Sequence, residues 1–145
     1  MERKRGGQYL ARQHGVQLDG VPVPRGKVDA EALRSAMAKG MRTGTPVICV
    51  SHVLSSTGLR MPIAELQALA RSRGVLCAVD GAQAVGAVRV TVRELGCHAY
   101  AASGHKWLLG PKGTGLLFLA KDTQAVSARW RSRSATAPTA TATVS

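Results

Sequence analysis

The feature that most restricts this chain is a series of short, unbroken apolar runs, each ending in polar residues and separated by segments of helical periodicity. Val47-Ile48-Cys49-Val50 runs into Ser51-His52, Val75-Leu76-Cys77-Ala78-Val79 stops at Asp80, and Ala99-Tyr100-Ala101-Ala102 gives way to Ser103-Gly104-His105-Lys106. Runs of four or five residues that are apolar at nearly every position are the pattern of strands buried on both faces, as in parallel sheets. Between and before them lie helices. Asp29 can cap a segment with Glu31 in its first turn and Leu33, Ala36 and Met37 on one face, ending at Gly40. Pro62 opens a second, with Ile63, Leu66, Leu69 and Ala70 at helical spacing and Gly74 just past its end. A short helical piece spans Thr91 to Leu95, and Gly115-Leu116-Leu117-Phe118-Leu119 closes the series. The alternation predicts an α/β architecture with a mostly parallel sheet and helical crossovers. Val16 to Val23, bounded by Gly15 and by Pro22 and Pro24, suits a short or edge strand.

The two ends differ from this middle. Residues 1–6 form a charged start, and residues 121–145 a basic tail that degenerates into Ala, Thr, Ser and Arg, expected to be disordered. Residues 7–120 are then the folded unit. With 145 residues, 45% of them hydrophobic, a buried core is within reach. No apolar run approaches the roughly 18 residues that span a bilayer, and the start lacks the apolar stretch of a secretory signal, so a cytoplasmic protein without a membrane partner is expected. Cys49, Cys77 and Cys97 are odd in number and two lie in apolar runs, which predicts reduced core thiols. Of the formal net charge of +12, five charges lie in residues 1–5 and 120–145, and only five aromatic residues occur in the chain. That distribution describes a solvated basic surface and argues against nucleic acid as a partner, since single-strand binders need stacking rings.

Ligands of parallel α/β sheets gather at the carboxyl ends of the strands, which here bring together His52, Asp80, Gln83, Ser103, His105 and Lys106. Taken singly, each has an ordinary explanation. An Asp after a strand caps a turn, a Lys after Gly-His is a surface charge, and His52 is a satisfied polar residue; His14 and His98 read as surface histidines. Gly110 to Gly115 lacks the Gly-Lys-Ser/Thr of a phosphate loop, and the cysteines and histidines lack zinc spacing, so no metal is expected. A lysine that can form a Schiff base with an aldehyde and an aspartate that can keep a pyridine nitrogen protonated are, together, the equipment of pyridoxal 5'-phosphate (PLP) chemistry.

The order and spacing of Ala78-Val79-Asp80-Gly81-Ala82-Gln83-Ala84, Ser103-Gly104-His105-Lys106-Trp107 and Gly110-Pro111-Lys112-Gly113-Thr114-Gly115 resemble the class V aminotransferases, the group that includes cysteine desulfurases and isopenicillin N epimerase-like proteins. The resemblance covers about residues 7 to 120. It implies part of the large PLP-binding domain of a fold type I enzyme. Lys106 would carry the cofactor, Asp80 would pair with the pyridine nitrogen, and Gln83 would donate to the ring oxygen. Ser103 and His105 would contact the phosphate, and His52 would lie near the ring. It further implies an amino acid or related amine as substrate, and a homodimer or a complementary chain as partner.

The family's upstream phosphate turn and ring-stacking residue have no counterpart here, nor has the downstream domain with its carboxylate-binding arginine and, in desulfurases, its mobile cysteine. Two readings follow. In one, the chain is a fragment that keeps the lysine chemistry and binds PLP weakly alone. In the other, it is a catalytically inactive remnant or basic binding module. Either way, an exposed strand edge and apolar sheet face are expected, with marginal stability or aggregation.

Overall fold

The five residues Leu76–Asp80 are the axis of the sheet, and their neighbours follow from the same apolar pattern. A computed structural model describes residues 12–13, 15–23, 29–123 and 140–144. Its strands are β1 (Gln17–Val21), β2 (Val47–Ser51), β3 (Leu76–Asp80), β4 (Ala99–Ser103), β5 (Gly115–Leu119) and β6 (Ala140–Val144), with helices α1 (Ala30–Gly40), α2 (Ile63–Ser72) and α3 (Val92–Leu95). They form one sheet in the order β1-β6-β2-β3-β4-β5, parallel throughout except for β5, which runs antiparallel to β4. The α/β sheet with helical crossovers is therefore as the alternation predicts, and β1 is an edge strand.

Local chemistry sets the helix ends. Asp29 adopts an extended backbone and its Oδ1 accepts the Ala32 N–H at 2.7 Å, which satisfies one of the unpaired donors of the first turn of α1. The first turn of α2 is started by Pro62, whose carbonyl accepts from Leu66 N–H at 3.0 Å, and the chain leaves the helix through Gly74 at φ +65°. Helix α2 buries Ile63, Leu66, Gln67 and Ala70, an i, i+3, i+4, i+7 stripe. Gln67 on that stripe is a polar residue that apolar periodicity does not reveal.

The core lies between one face of the sheet and the helices. Ile48 and Val50 of β2, Cys77 and Val79 of β3 and Tyr100 of β4 point inward and meet Met37 of α1 and Leu66 of α2. Alternate residues on the same strands, such as Cys49, Ala78 and Ala101, are half-buried or exposed, and Leu117 and Leu119 of β5 stand in the open. The apolar face expected from the sequence is thus present. Cys77 and Cys97 are buried thiols, and burial pushes Cys77 up to about 12, so it is an inert core residue.

Two expectations are revised. Disorder does not hold for residues 140–144, which pair as β6 between β1 and β2; the low complexity of the tail hid that strand. The rest of that tail from 124, and the charged start, lie outside the described residues. His98 is buried rather than on the surface, because Gln67 and the main chain of Cys77 surround its ring; His14 lies outside the described residues. Among the described residues no helix is long and apolar enough to cross a membrane, and no cluster of side chains is suited to a metal.

Candidate active site

β2, β3 and β4 end side by side, so their carboxyl ends hold the polar residues at one edge. Ser51 is in register with Asp80, and Asp80 with Ala101. The ladder then continues one step beyond the strands, with His52 N–H donating to Asp80 O at 2.9 Å and Gly81 N–H to Ala101 O at 2.7 Å. His52 and Asp80 are therefore main-chain neighbours. The Asp80 carboxylate is aimed by its own turn, Oδ1 accepting the Ala82 N–H at 2.8 Å.

Under this edge lies a residue that sequence reasoning missed. The Tyr100 hydroxyl meets His52 Nδ1 at 2.9 Å, and the two rings pack edge to face with centroids 6.0 Å apart. Both are buried in the core, His52 on the residue after a strand end and Tyr100 at an inward position of β4. A polar aromatic at a core-facing position requires a partner, and that requirement was the available signal. Burial pushes the Tyr100 hydroxyl up to about 12, helped by Cys97 and Asp80 nearby, while burial and then Arg60 hold His52 below its ordinary value. The pair is neutral at pH 7. Gly81 lies against the Tyr100 ring so closely that a Cβ there would fall 2.1 Å from a ring carbon.

Beyond β4 the chain turns through Ser103-Gly104-His105-Lys106. Ser103 is half-buried beside Gly115 of β5, His105 is exposed, and Lys106 is half-buried. The turn is closed by Gly104 N–H to Thr114 O at 2.9 Å, Leu109 N–H to Lys106 O at 3.0 Å and Gly110 N–H to Gly104 O at 2.8 Å. No salt bridge among the described residues involves Lys106. The glycine-rich segment after it is a tight turn into β5, as its sequence suggests, with Gly113 at φ +83°.

Two contacts join this turn to the one after β3. Trp107 Nε1–H donates to Gln83 Oε1 at 2.9 Å, and Gly86, at φ +88°, has its Cα against the Trp107 main chain. Gln83 is thereby brought to the residue next to Lys106. Of the six residues expected at the site, His52 and Asp80 are linked through the main chain, Gln83 is linked to the Lys106 turn, and Ser103, His105 and Lys106 share that turn.

The opposite edge of the sheet is held by the second buried histidine. His98 Nδ1 accepts the Cys77 N–H at 3.0 Å and lies 3.4 Å from Gln67 Nε2, while its carbonyl accepts from the Thr123 hydroxyl at 2.9 Å. A main-chain N–H can only donate, so Nδ1 carries no proton and the ring is neutral. Burial lowers His98 first, Asp122 opposing and Arg71 adding to the effect. Two histidines with folded pKa values below the unfolded value of about 6.5 mean that the unfolded chain binds more protons in acid. Stability is therefore expected to be level above about pH 6.5 and to fall as pH drops below it. Urea midpoints between pH 7.5 and 5.5 measure this, and a midpoint that rose on acidification would contradict the neutral histidines.

Known proteins resemble this chain in sequence and in fold. The sequence matches the family described as aminotransferase class-V over residues 7–141. It is 42% identical over 113 residues to an isopenicillin N epimerase of Streptomyces clavuligerus, spanning 78% of this chain and 28% of that protein. The fold superposes on a cysteine desulfurase from Thermococcus onnurineus NA1 with a TM-score of 0.65 at 30% identity, over 79% of this chain and 28% of the other. It also superposes on a variant of C-DES with glycine covalently linked to its PLP cofactor, with a TM-score of 0.74 at 31% identity, over 81% and 31% of the two chains. The chain spans less than a third of the length of each of these proteins. With the family's pattern running along nearly all of its sequence and the family's sheet beneath it, the chain belongs to the class V aminotransferases.

Proposed function

We propose that this chain supplies the cofactor-holding edge of a PLP enzyme acting on an amino acid or related amine, with Lys106 as the residue that takes the cofactor's aldehyde. The observation that carries this reading is the convergence of two turns. Neighbouring parallel strands deliver Asp80 and the Ser103 to Lys106 turn to one edge, and the indole beside Lys106 is bonded to Gln83.

The residues suit the group chemically. A pyridine nitrogen calls for an acid, a ring oxygen for an N–H donor, an aldehyde for an amine, and a phosphate for hydroxyl and imidazole donors. Asp80, Gln83, Lys106, and Ser103 with His105 offer these in turn. Bound there, the cofactor supplies an electron-poor ring that draws electrons out of a bond to the substrate α-carbon. The chain's own part is positional and protic. Asp80, with Oδ1 fixed by the Ala82 N–H, would keep a proton on the pyridine nitrogen. Gln83 Nε2 would donate to the ring oxygen, and Ser103 and His105 would hold the phosphate. His52, braced by Tyr100 and bonded to the Asp80 carbonyl, steadies that strand end from the core side. Lys106 Nζ would supply the amine for the aldehyde and, when free, the base that moves the α proton. In this reading a second subunit or a complementary chain completes the pocket.

Asp80→Asn tests the assignment without altering size. The loss of a charged acceptor is expected to weaken PLP binding about tenfold or more, read by absorbance titration. Equal affinity of the two proteins would remove Asp80 from the site.

A further inference from the structure

We propose that Trp107 is a positioning residue that fixes the orientation of the Gln83 amide, so that only its donating end faces a bound oxygen. This rests on the cofactor reading above and deepens it. An amide side chain carries a donor and an acceptor of almost the same shape, and either could meet a ligand. An indole N–H has no such choice, because it can only donate. The atom 2.9 Å from Trp107 Nε1 is therefore the Gln83 oxygen, and Nε2 is left as the end available to an acceptor. A group that offers an oxygen, such as the ring oxygen of the cofactor, meets a donor already oriented for it, while a group that offers an N–H does not.

The surroundings hold Trp107 to that task. Trp107 is 57% exposed, so it is not a core anchor. Its main chain, however, is pressed against Gly86, the positive-φ residue that ends the turn carrying Gln83; a Cβ at Gly86 would lie 2.4 Å from Trp107 O. The two turns are thus held at a fixed separation, and the indole bond across them sets the amide. Because Trp107 adjoins Lys106 in the chain, the donor is oriented by the same turn that carries the amine.

The test is a cycle of Trp107→Phe and Gln83→Ala, read by absorbance titration with PLP and by side-chain resonances of labelled protein. In the wild-type background Trp107→Phe is expected to weaken PLP binding about five- to tenfold, the worth of one oriented hydrogen bond. In the Gln83→Ala background it is expected to change nothing further. Without cofactor, Trp107→Phe is expected to shift the Gln83 amide resonances, which a change elsewhere in the turn would leave in place. The proposal is overturned if Trp107→Phe has no effect, or has the same effect in both backgrounds, while the wild type binds PLP. If the wild type itself gives no saturable signal, the cofactor reading falls and this proposal falls with it.

Discussion

Gly86→Ala is expected to destabilise the chain by about 3 kcal/mol or more, with the urea midpoint falling and the slope unchanged. Two independent costs meet at this position. The residue sits at φ +88°, where an L side chain is strained, and its Cβ would lie 2.4 Å from Trp107 O and 2.5 Å from Trp107 C. Backbone atoms cannot turn aside as a flexible side chain can. To admit a methyl group, the turn carrying Gln83 must move away from the turn carrying Lys106, so the Trp107 to Gln83 bond should be lost as well. A variant with wild-type stability and unchanged indole resonances would contradict the close approach of the two turns.

Gly81→Ala is expected to cost about as much by a different route. Here the obstacle is a side chain: the new methyl would lie 2.1 to 2.2 Å from the ring and hydroxyl of Tyr100. The ring must leave its place, which breaks its bond to His52 and leaves a buried imidazole nitrogen without its partner. Overpacking and an orphaned polar group cost about 1 to 3 kcal/mol each. The origin of the penalty can be checked in a double variant. In Tyr100→Ala the collision is absent, so adding Gly81→Ala to it should cost far less than adding it to the wild type. Equal costs in the two backgrounds would mean that the glycine is needed for something other than the tyrosine.

The strands were legible because their chemistry is local. Val47-Ile48-Cys49-Val50 and Leu76-Cys77-Ala78-Val79 are apolar at consecutive positions, and each does lie in a parallel sheet, with the antiparallel β5 entered through a glycine turn. The helices announced themselves through Asp29, Pro62 and Gly74. What stayed hidden depends on contacts distant in sequence. Nothing in the neighbourhood of His98 says that Gln67, 31 residues earlier, and the Cys77 main chain will enclose it. β6 went unseen because it continues a low-complexity tail, and strand formation there depends on pairing with β1 and β2.

The candidate site divides in the same way. Asp80 and Ser103 stand at strand ends where apolar runs stop, so alternation alone puts them on one edge. The contacts that arrange the edge, Tyr100 with His52 and Trp107 with Gln83, join residues 48 and 24 positions apart and could be read only from the folded chain.

The central claim is that Lys106 carries the cofactor, and the most direct measurement is borohydride reduction of the chain mixed with PLP, followed by mapping of the modified lysine. Lys106 is one of several lysines, and surface amines react with aldehydes without selectivity, so the comparison with Lys106→Ala is essential. The account predicts that reduction places the label on Lys106, and that Lys106→Ala loses both the label and the absorbance band. Labelling spread alike over wild type and variant would contradict it.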